Sequence, residues 1–257
     1  MPFTPSHVAA VIPLISRARV RRVLDPWALG VGAMVPDLPM FLPYLDAYTR
    51  WHSPIGVVTD DVVAVFVLLA LVQFVFRDPL TALLPQPLAA RIAALPGPGW
   101  RRFPAIALGA AVGAATHVFW DSFTHDWGAR FWGWSWLTAP VAGWVNGYRL
   151  MQYGSSVVGL ALVGWWLLRA LRPRASGPLP DRLALPGAVR WGVLACTFAG
   201  ACCTAGVWSL VDPPNPVFGW AGIVTKTGVG LVVGFCAVLT VYALLWQLRR
   251  VIRLSRA

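Results

Sequence analysis

The chain has 257 residues, 58% of them hydrophobic and only 12% charged, about half the charged share of a soluble domain. A soluble protein so apolar would lack the polar surface to cover itself, which excludes that class and places the chain in a bilayer. The net charge of +11, from 20 Arg and one Lys against ten Asp and no Glu, does not indicate nucleic acid: the Arg residues cluster between apolar stretches, as in cytoplasmic loops, and no nucleic-acid motif accompanies them.

The opening MPFTPSHVAAVIPLI carries no basic residue before its apolar run, so it does not read as a cleavable signal peptide. Residues 7–22 predict one helix, closing on Arg17, Arg19, Arg21 and Arg22. Residues 26–36 predict a second, stopped by Pro36, Pro39 and Pro43. The two read as a hairpin or a re-entrant pair, which a bilayer tolerates only where the irregular backbone is buried in protein or lines a wet cavity. Five segments then approach the roughly 20 apolar residues that a spanning helix needs: residues 56–76, 104–120, 154–171, 188–210 and 228–247. Asp60 and Asp61 sit near the start of the first, where the plain reading is charge pairing with a helix N-terminus and the alternative is a role at a site. The second is rich in small residues that permit close helix packing.

Between the second and third spans, residues 127–144 hold Trp127, Trp132, Trp134, Trp136 and Trp144. Trp favours the membrane interface, so this is an interfacial loop; a lid over a lipid-binding groove is the sharper reading. The Pro- and Gly-rich stretch 172–187 is a linker between a polar-motif part, residues 1–171, and a plainer two-helix segment, residues 188–257. Cys196, Cys202, Cys203 and Cys236 lie inside apolar stretches and serve as packing residues. The fold expected is all-α: a multi-pass transmembrane helical bundle of about five spanning helices plus an N-terminal helical hairpin. Arg placement sets an orientation. The segments with Arg77, Arg91, Arg101 and Arg102, with Arg169, Arg172, Arg174, Arg182 and Arg190, and with Arg249, Arg250, Arg253 and Arg256 should be cytoplasmic, the C-terminus included. Residues 121–153 and 211–227 should face outward.

All four histidines fall in short polar islands: His7 in TPSH, His52 in WHSP, and His117 and His125 in THVFWDSFTH. Asp37 (VPDLP) and Asp121 share such settings. His117 and Asp121, at i and i+4, lie on one helix face about 6 Å apart along the axis and can converge on one ion. His125 at i+8 lies about 12 Å along an unbroken helix. Either the helix breaks near Ser122, or His125 serves a second metal or a substrate. An Asp at the centre of a membrane helix costs about 2.5–3.5 kcal/mol on insertion scales, and polar groups at that depth mark functional sites. Metal binding can offset the cost, since structural zinc supplies about 10–16 kcal/mol in peptides. Imidazole with carboxylate suits zinc, and also iron, manganese or nickel.

The opening MPFTPSH, then MVPDLP, the WHS island, HVFWDSFTH and YRLMQYGSS resemble a bacterial membrane family, domain of unknown function 4184, over nearly the whole chain. The order His, Asp, His, His-x-x-x-Asp also resembles inner-membrane metal-dependent hydrolases and, more remotely, zinc-dependent phospholipase C and the single-strand-specific P1-type nucleases. Those enzymes hold a metal cluster in a helical bundle and cleave phosphate esters. The resemblance implies His7, Asp37, His52, His117 and Asp121 as ligands, with His125 beside them. The sequence lacks the later His-x-x-x-Glu pair of the soluble enzymes, so one or two ions fit better than three.

The function expected is a membrane-embedded metal-dependent hydrolase in the bacterial cytoplasmic membrane, acting on a phosphoester of a lipid or other envelope substrate. Zinc is the expected metal. Asp121 or Asp37 would act as ligand or general base. Arg149, with Tyr148, Gln152 and Tyr153 before the third span, would hold the phosphate through its planar fork, or else anchor the interface. Two other classes use the same residues: an ion- or proton-coupled transporter, since intramembrane Asp and His also mark relays, and a non-catalytic membrane protein with a closed structural metal.

Overall fold

A computed structural model describes residues 3–42, 47–141, 143, 145–172, 177–216 and 219–254. Pro43, Trp144, linker residues 173–176 with Arg174, the Arg253 side chain and Arg256 lie outside the described residues. Among the described residues the chain is helical almost throughout, apart from one antiparallel pair, Pro140–Val141 with Val145–Asn146. The principal helices are α1 (Val8–Ser16), α2 (Pro26–Gly32), α3 (Asp60–Ala82), α4 (Phe103–Thr124), α5 (Gly147–Leu171), α6 (Gly187–Val211) and α7 (Gly219–Leu254). Five of these, α3 to α7, are long and apolar enough to cross a membrane. This is a membrane protein of the helical-bundle class.

The helix ends differ from the expected ones, each for a local reason. The helix predicted over 7–22 stops at Ser16, where Arg17 turns extended (φ −89°, ψ 119°). The basic run that follows offers nothing to bury, and its carbonyls at Arg21 and Arg22 accept from the Arg102 guanidinium instead. The span expected at 56–76 begins at Asp60, after a short turn at Pro54–Val58, and continues to Ala82 through a π-helical turn at Val72–Phe76. Its neighbour runs past Trp120 to Thr124, and α5 starts seven residues earlier than its apolar run.

The chain packs as two compact units. The first comprises Met1–Pro39, Leu45–Leu69 and Gly97–Pro173. At its centre is α4, whose apolar window is 39% buried, more than that of any other span. Against it lies α2, at a distance only small residues permit. A Cβ on Gly113 would stand 2.5 Å from the Leu29 carbonyl oxygen and 2.8 Å from the Ala33 nitrogen. Asp25 fixes the entry to α2. Its Oδ1 accepts from the Trp27 and Ala28 amides at 2.9 and 3.1 Å, and its Oδ2 accepts from Gly99 N at 3.1 Å. The Asp25 amide donates to the Ala105 carbonyl at 2.9 Å. One residue thus caps α2 and ties it to the start of α4. Val35, Val65, Leu69, Ile106 and Ala110 close one core beside this contact, and Val11, Ile15, Leu29 and Ala33 close another. The N-terminal turn Thr4–His7 rests on α5: Phe3 N donates to Ser156 Oγ at 2.9 Å, and Gly159 leaves room for Ser6.

The second unit comprises Met40–Tyr44, Ala70–Pro96 and Arg174–Ala257. Within it, α6 and α7 form a tight hairpin with Gly200, Gly230 and Gly234 at the contact. The π turn frees carbonyls at Phe74 and Val75, and Gln247 Nε2 donates to both, at 3.2 and 2.8 Å.

Candidate metal centre

Four segments of the first unit deliver polar side chains to one place. The turn Thr4–His7 carries His7. The 3-10 turn Val35–Asp37, which follows α2, carries Asp37. The short helix Tyr48–Trp51 is capped by His52, and α4 carries His117 and Asp121. Asp37, His117 and Asp121 have no exposed surface.

Asp37, His52, His117 and Asp121 each offer one ligand atom, and these four atoms lie within 4.8 Å of one another. His117 Nε2 is 3.4 Å from Asp37 Oδ1 and 3.5 Å from Asp121 Oδ2. His52 Nε2 is 3.8 and 3.6 Å from the same two oxygens. Such separations are long for hydrogen bonds. They match the roughly 3.4 Å edge of a tetrahedron whose four ligands stand about 2.1 Å from a central zinc. None of the four atoms has a hydrogen-bond partner among the described residues.

The atoms behind them are braced. His52 Nδ1 pairs with the Tyr48 carbonyl at 2.9 Å, and His117 Nδ1 pairs with the Ala33 carbonyl at 2.9 Å. A carbonyl only accepts, so Nδ1 carries a proton in both rings and Nε2 is the nitrogen turned to the cluster, the one that would offer a lone pair to a metal. Thr4 Oγ1 donates to Asp37 Oδ2 at 2.7 Å, leaving Oδ1 free. The two carboxylates, Asp37 and Asp121, share a dry interior. Unpaired, each costs several kcal/mol, and a bound dication balances both. Donor set, spacing and charge therefore fit one divalent cation.

His7 and His125 flank this group. His7 stacks on His117 with ring centroids 3.8 Å apart, and its Nε2 lies 3.5 Å from Asp121 Oδ1, the carboxylate oxygen turned away from His52. Burial first, and then the neighbouring His117, pushes the His7 imidazole down to about 4, so at neutral pH it is uncharged. Both of its ring nitrogens lack hydrogen-bond partners among the described residues. His125 resolves the i+8 problem: α4 runs unbroken through Ser122 and ends at Thr124, and His125 itself turns extended (φ −127°, ψ 152°). That folds its ring back beside Asp121, with Nδ1 3.0 Å from the Asp121 carbonyl and 3.6 Å from Oδ2. Burial lowers the affinity of His125 for a proton as well.

Arg149 lies elsewhere, its guanidinium 5.8 Å from the centre of the Tyr148 ring; among the described contacts none joins it to the cluster. Of the two aspartates at the start of α3, Asp60 pairs in the open with Arg50, through Nε–Oδ2 at 2.6 Å and Nη2–Oδ1 at 3.0 Å. Asp61 is fully buried, with no hydrogen-bond partner for either oxygen among the described residues. Two residues were not singled out from sequence. Thr4 supports Asp37, and Tyr48 lies against His52 with ring centroids 4.0 Å apart. Burial and the nearby Asp37 and Asp121 hold the Tyr48 phenol well above its usual range, so it keeps its proton. Both stand one turn before a histidine, at i−3 and i−4, the spacing that could have drawn attention to them.

The Trp-rich segment leads away from the site as a row of rings. Phe123 stacks on Trp132 at 5.2 Å, Trp132 on Trp134 at 5.3 Å, and Trp134 on Trp136 at 6.1 Å. Trp132 Nε1 donates to Ser122 Oγ at 3.0 Å, next to Asp121, while Trp127, Trp134 and Trp136 are exposed.

The family described as Domain of unknown function (DUF4184) matches residues 1–245, and the chain belongs to it. Neither a curated protein nor a solved structure matches the sequence.

Proposed function

We propose that this member of the DUF4184 family is a membrane-embedded hydrolase that holds a divalent cation, zinc by preference, between Asp37, His52, His117 and Asp121 and acts on a phosphoester of a lipid or other envelope substrate. The observation that carries the metal is the set of four unpartnered donor atoms around one gap, three of them, on Asp37, His52 and His117, braced from behind. When bound, such an ion lowers the pKa of a water and polarises a phosphoryl oxygen. The chain's own residues do the rest. His7 and His125 keep unpartnered nitrogens at the edge of the cluster, available to a second ion or to a substrate. Asp61 is a buried carboxylate with no hydrogen-bond partner among the described residues, so taking up a proton relieves the cost of its burial. Tyr48 keeps a proton to donate.

The site's depth supports a headgroup-level substrate. If α3, α4 and α5 cross the membrane in turn, the start of α3, the end of α4 and the start of α5 share one face. His117 and Asp121 lie about 10 and 5 Å from the end of α4, and the Trp rings follow at once, at the level where Trp favours the interface. Arg149, on the first turn of α5, belongs to the same face and would meet a phosphate arriving from outside the cluster. The opposite face receives Arg91, Arg101 and Arg102 on one side of α4 and Arg172 and Arg182 after α5. By the bias of Arg toward the cytoplasm, the site faces outward in a bacterial cytoplasmic membrane, with the C-terminus inside.

Elemental analysis of the purified protein, followed by a screen of phosphoester and lipid hydrolysis, tests this reading. It expects at least one divalent ion per chain and turnover that a chelator abolishes. A metal-free protein would overturn the centre. Bound metal without turnover of any ester, joined to metal-dependent uptake into proteoliposomes, would make the protein a transporter.

A further inference from the structure

The first unit carries a groove that the metal centre does not use. It has a volume of about 300 Å³ and is lined by Leu38, Trp51, Val63, Ala64, Val67 and Leu68, with Asp60 at one end. That is the low end of the range for small-molecule sites. The α3 positions 60, 63, 64, 67 and 68 form one helix stripe, so the groove runs about 12 Å along the helix. Its floor is low because Ala64 sits between larger neighbours, while Val63 and Val67 are 63% and 53% exposed.

Three features give the groove a direction. One end is ionic: Asp60 binds Arg50 bidentately, and the guanidinium, with its side chain 66% exposed, has further N–H donors to offer. From there to Leu68 the lining is wholly apolar, and it follows a helix long and apolar enough to cross a membrane. Two of the walls also lead to the metal cluster: Leu38 adjoins Asp37 and Trp51 adjoins His52.

We infer that this groove seats one acyl chain of a membrane phospholipid, with the lipid's polar end at Arg50 and Asp60 and its chain directed along α3 toward Leu68. The ionic end fits a phosphate-bearing headgroup, and the apolar run fits a hydrocarbon chain. The inference rests on the hydrolase reading only for what then happens to the lipid; occupancy of the groove stands apart from it.

The test is photo-crosslinking in nanodiscs of equal phosphatidylcholine and phosphatidylglycerol, doped with phosphatidylglycerol carrying a diazirine in its acyl chain, followed by peptide mapping and metal analysis of the same samples. Label should concentrate severalfold on Trp51 and residues 63–68 over the exposed control positions Val157 and Leu168 of α5, which are 71% and 63% exposed. Ala64→Trp, which fills the floor, should remove that excess and leave the metal content unchanged. If Ala64→Trp fails to fold, Val67→Phe serves in its place, and the wild-type map decides by itself. Label spread evenly over groove and controls means ordinary boundary lipid and overturns the inference, whatever the metal content. Concentrated label on a metal-free protein upholds the groove and sinks the hydrolase alone.

Discussion

His52 and His117 each spend one ring nitrogen on a carbonyl and keep the other for the cluster, and Asp37 divides its two oxygens in the same way with Thr4. Such supports act on affinity more than on composition. Thr4→Val should retain the fold and lower metal affinity about 10–100-fold, the usual cost of losing an outer support, read by titration against a competing chelator. An unchanged affinity would mean that Asp37 does not bind metal through the oxygen Thr4 leaves free. Asp61 calls for the opposite outcome. If it serves as an acid–base group and not a ligand, Asp61→Asn should keep the metal stoichiometric and reduce turnover about 10²–10⁴-fold; loss of metal would make it a ligand. The sequence made the His and Asp islands conspicuous because the chain carries so few charges elsewhere. It could not separate Asp61 from Asp60, since both sit on the same turn and only packing shows that one meets Arg50 in the open while the other is sealed in. The bracing of particular nitrogens was equally out of reach, because the carbonyl that holds His117 comes from Ala33, 84 residues away.

At the scale of the element, the contact of α2 with α4 governs the site, because α2 ends beside the Ala33 carbonyl that orients His117. Gly113→Val would push against the Leu29 carbonyl and the Ala33 nitrogen. We expect about 1–3 kcal/mol of destabilisation, typical of overpacking, together with loss of metal; Gly154→Val on α5, where a Cβ meets nothing within 4 Å, is the matched control. A Gly113→Val protein with full metal content would show that the ring does not depend on this contact. The spans were legible because a bilayer demands long apolar runs, but their ends were not. Hydropathy falls at His117 and Asp121, yet α4 continues because those side chains are turned into the protein interior and not toward water. It falls again over the polar and aromatic stretch GYRLMQY, where α5 nonetheless begins. The first 42 residues were the least readable part: their turns are set by what they rest on, and the run of Arg after Ser16 reads as a helix end only once Arg102 is seen to collect its carbonyls.

At the scale of the whole molecule, the prediction is one of sidedness. A membrane-impermeant chelator added to intact, right-side-out vesicles should strip the metal or abolish turnover, and cysteines replacing Arg101 and Arg182 should label only from the cytoplasmic side. A chelator effective on inside-out vesicles alone would reverse the proposed topology. The docking of the N-terminal turn also bears on how the protein is made. The helix Val8–Ser16 is about 14 Å long, less than half of the roughly 30 Å hydrocarbon core, so it cannot stand in the bilayer as a span of its own. Its supports arrive late: the Phe3 amide binds Ser156, 153 residues further on, and Ser6 lies against Gly159. Residues 3–16 therefore lack these supports until three spans are synthesised, and only then is His7 brought to its partners, whereas α2 can dock as soon as α4 is made. A nascent chain stalled before residue 147 should leave this segment open to protease, and one stalled after the third span has emerged should protect it, so that the part translated early is the part assembled late.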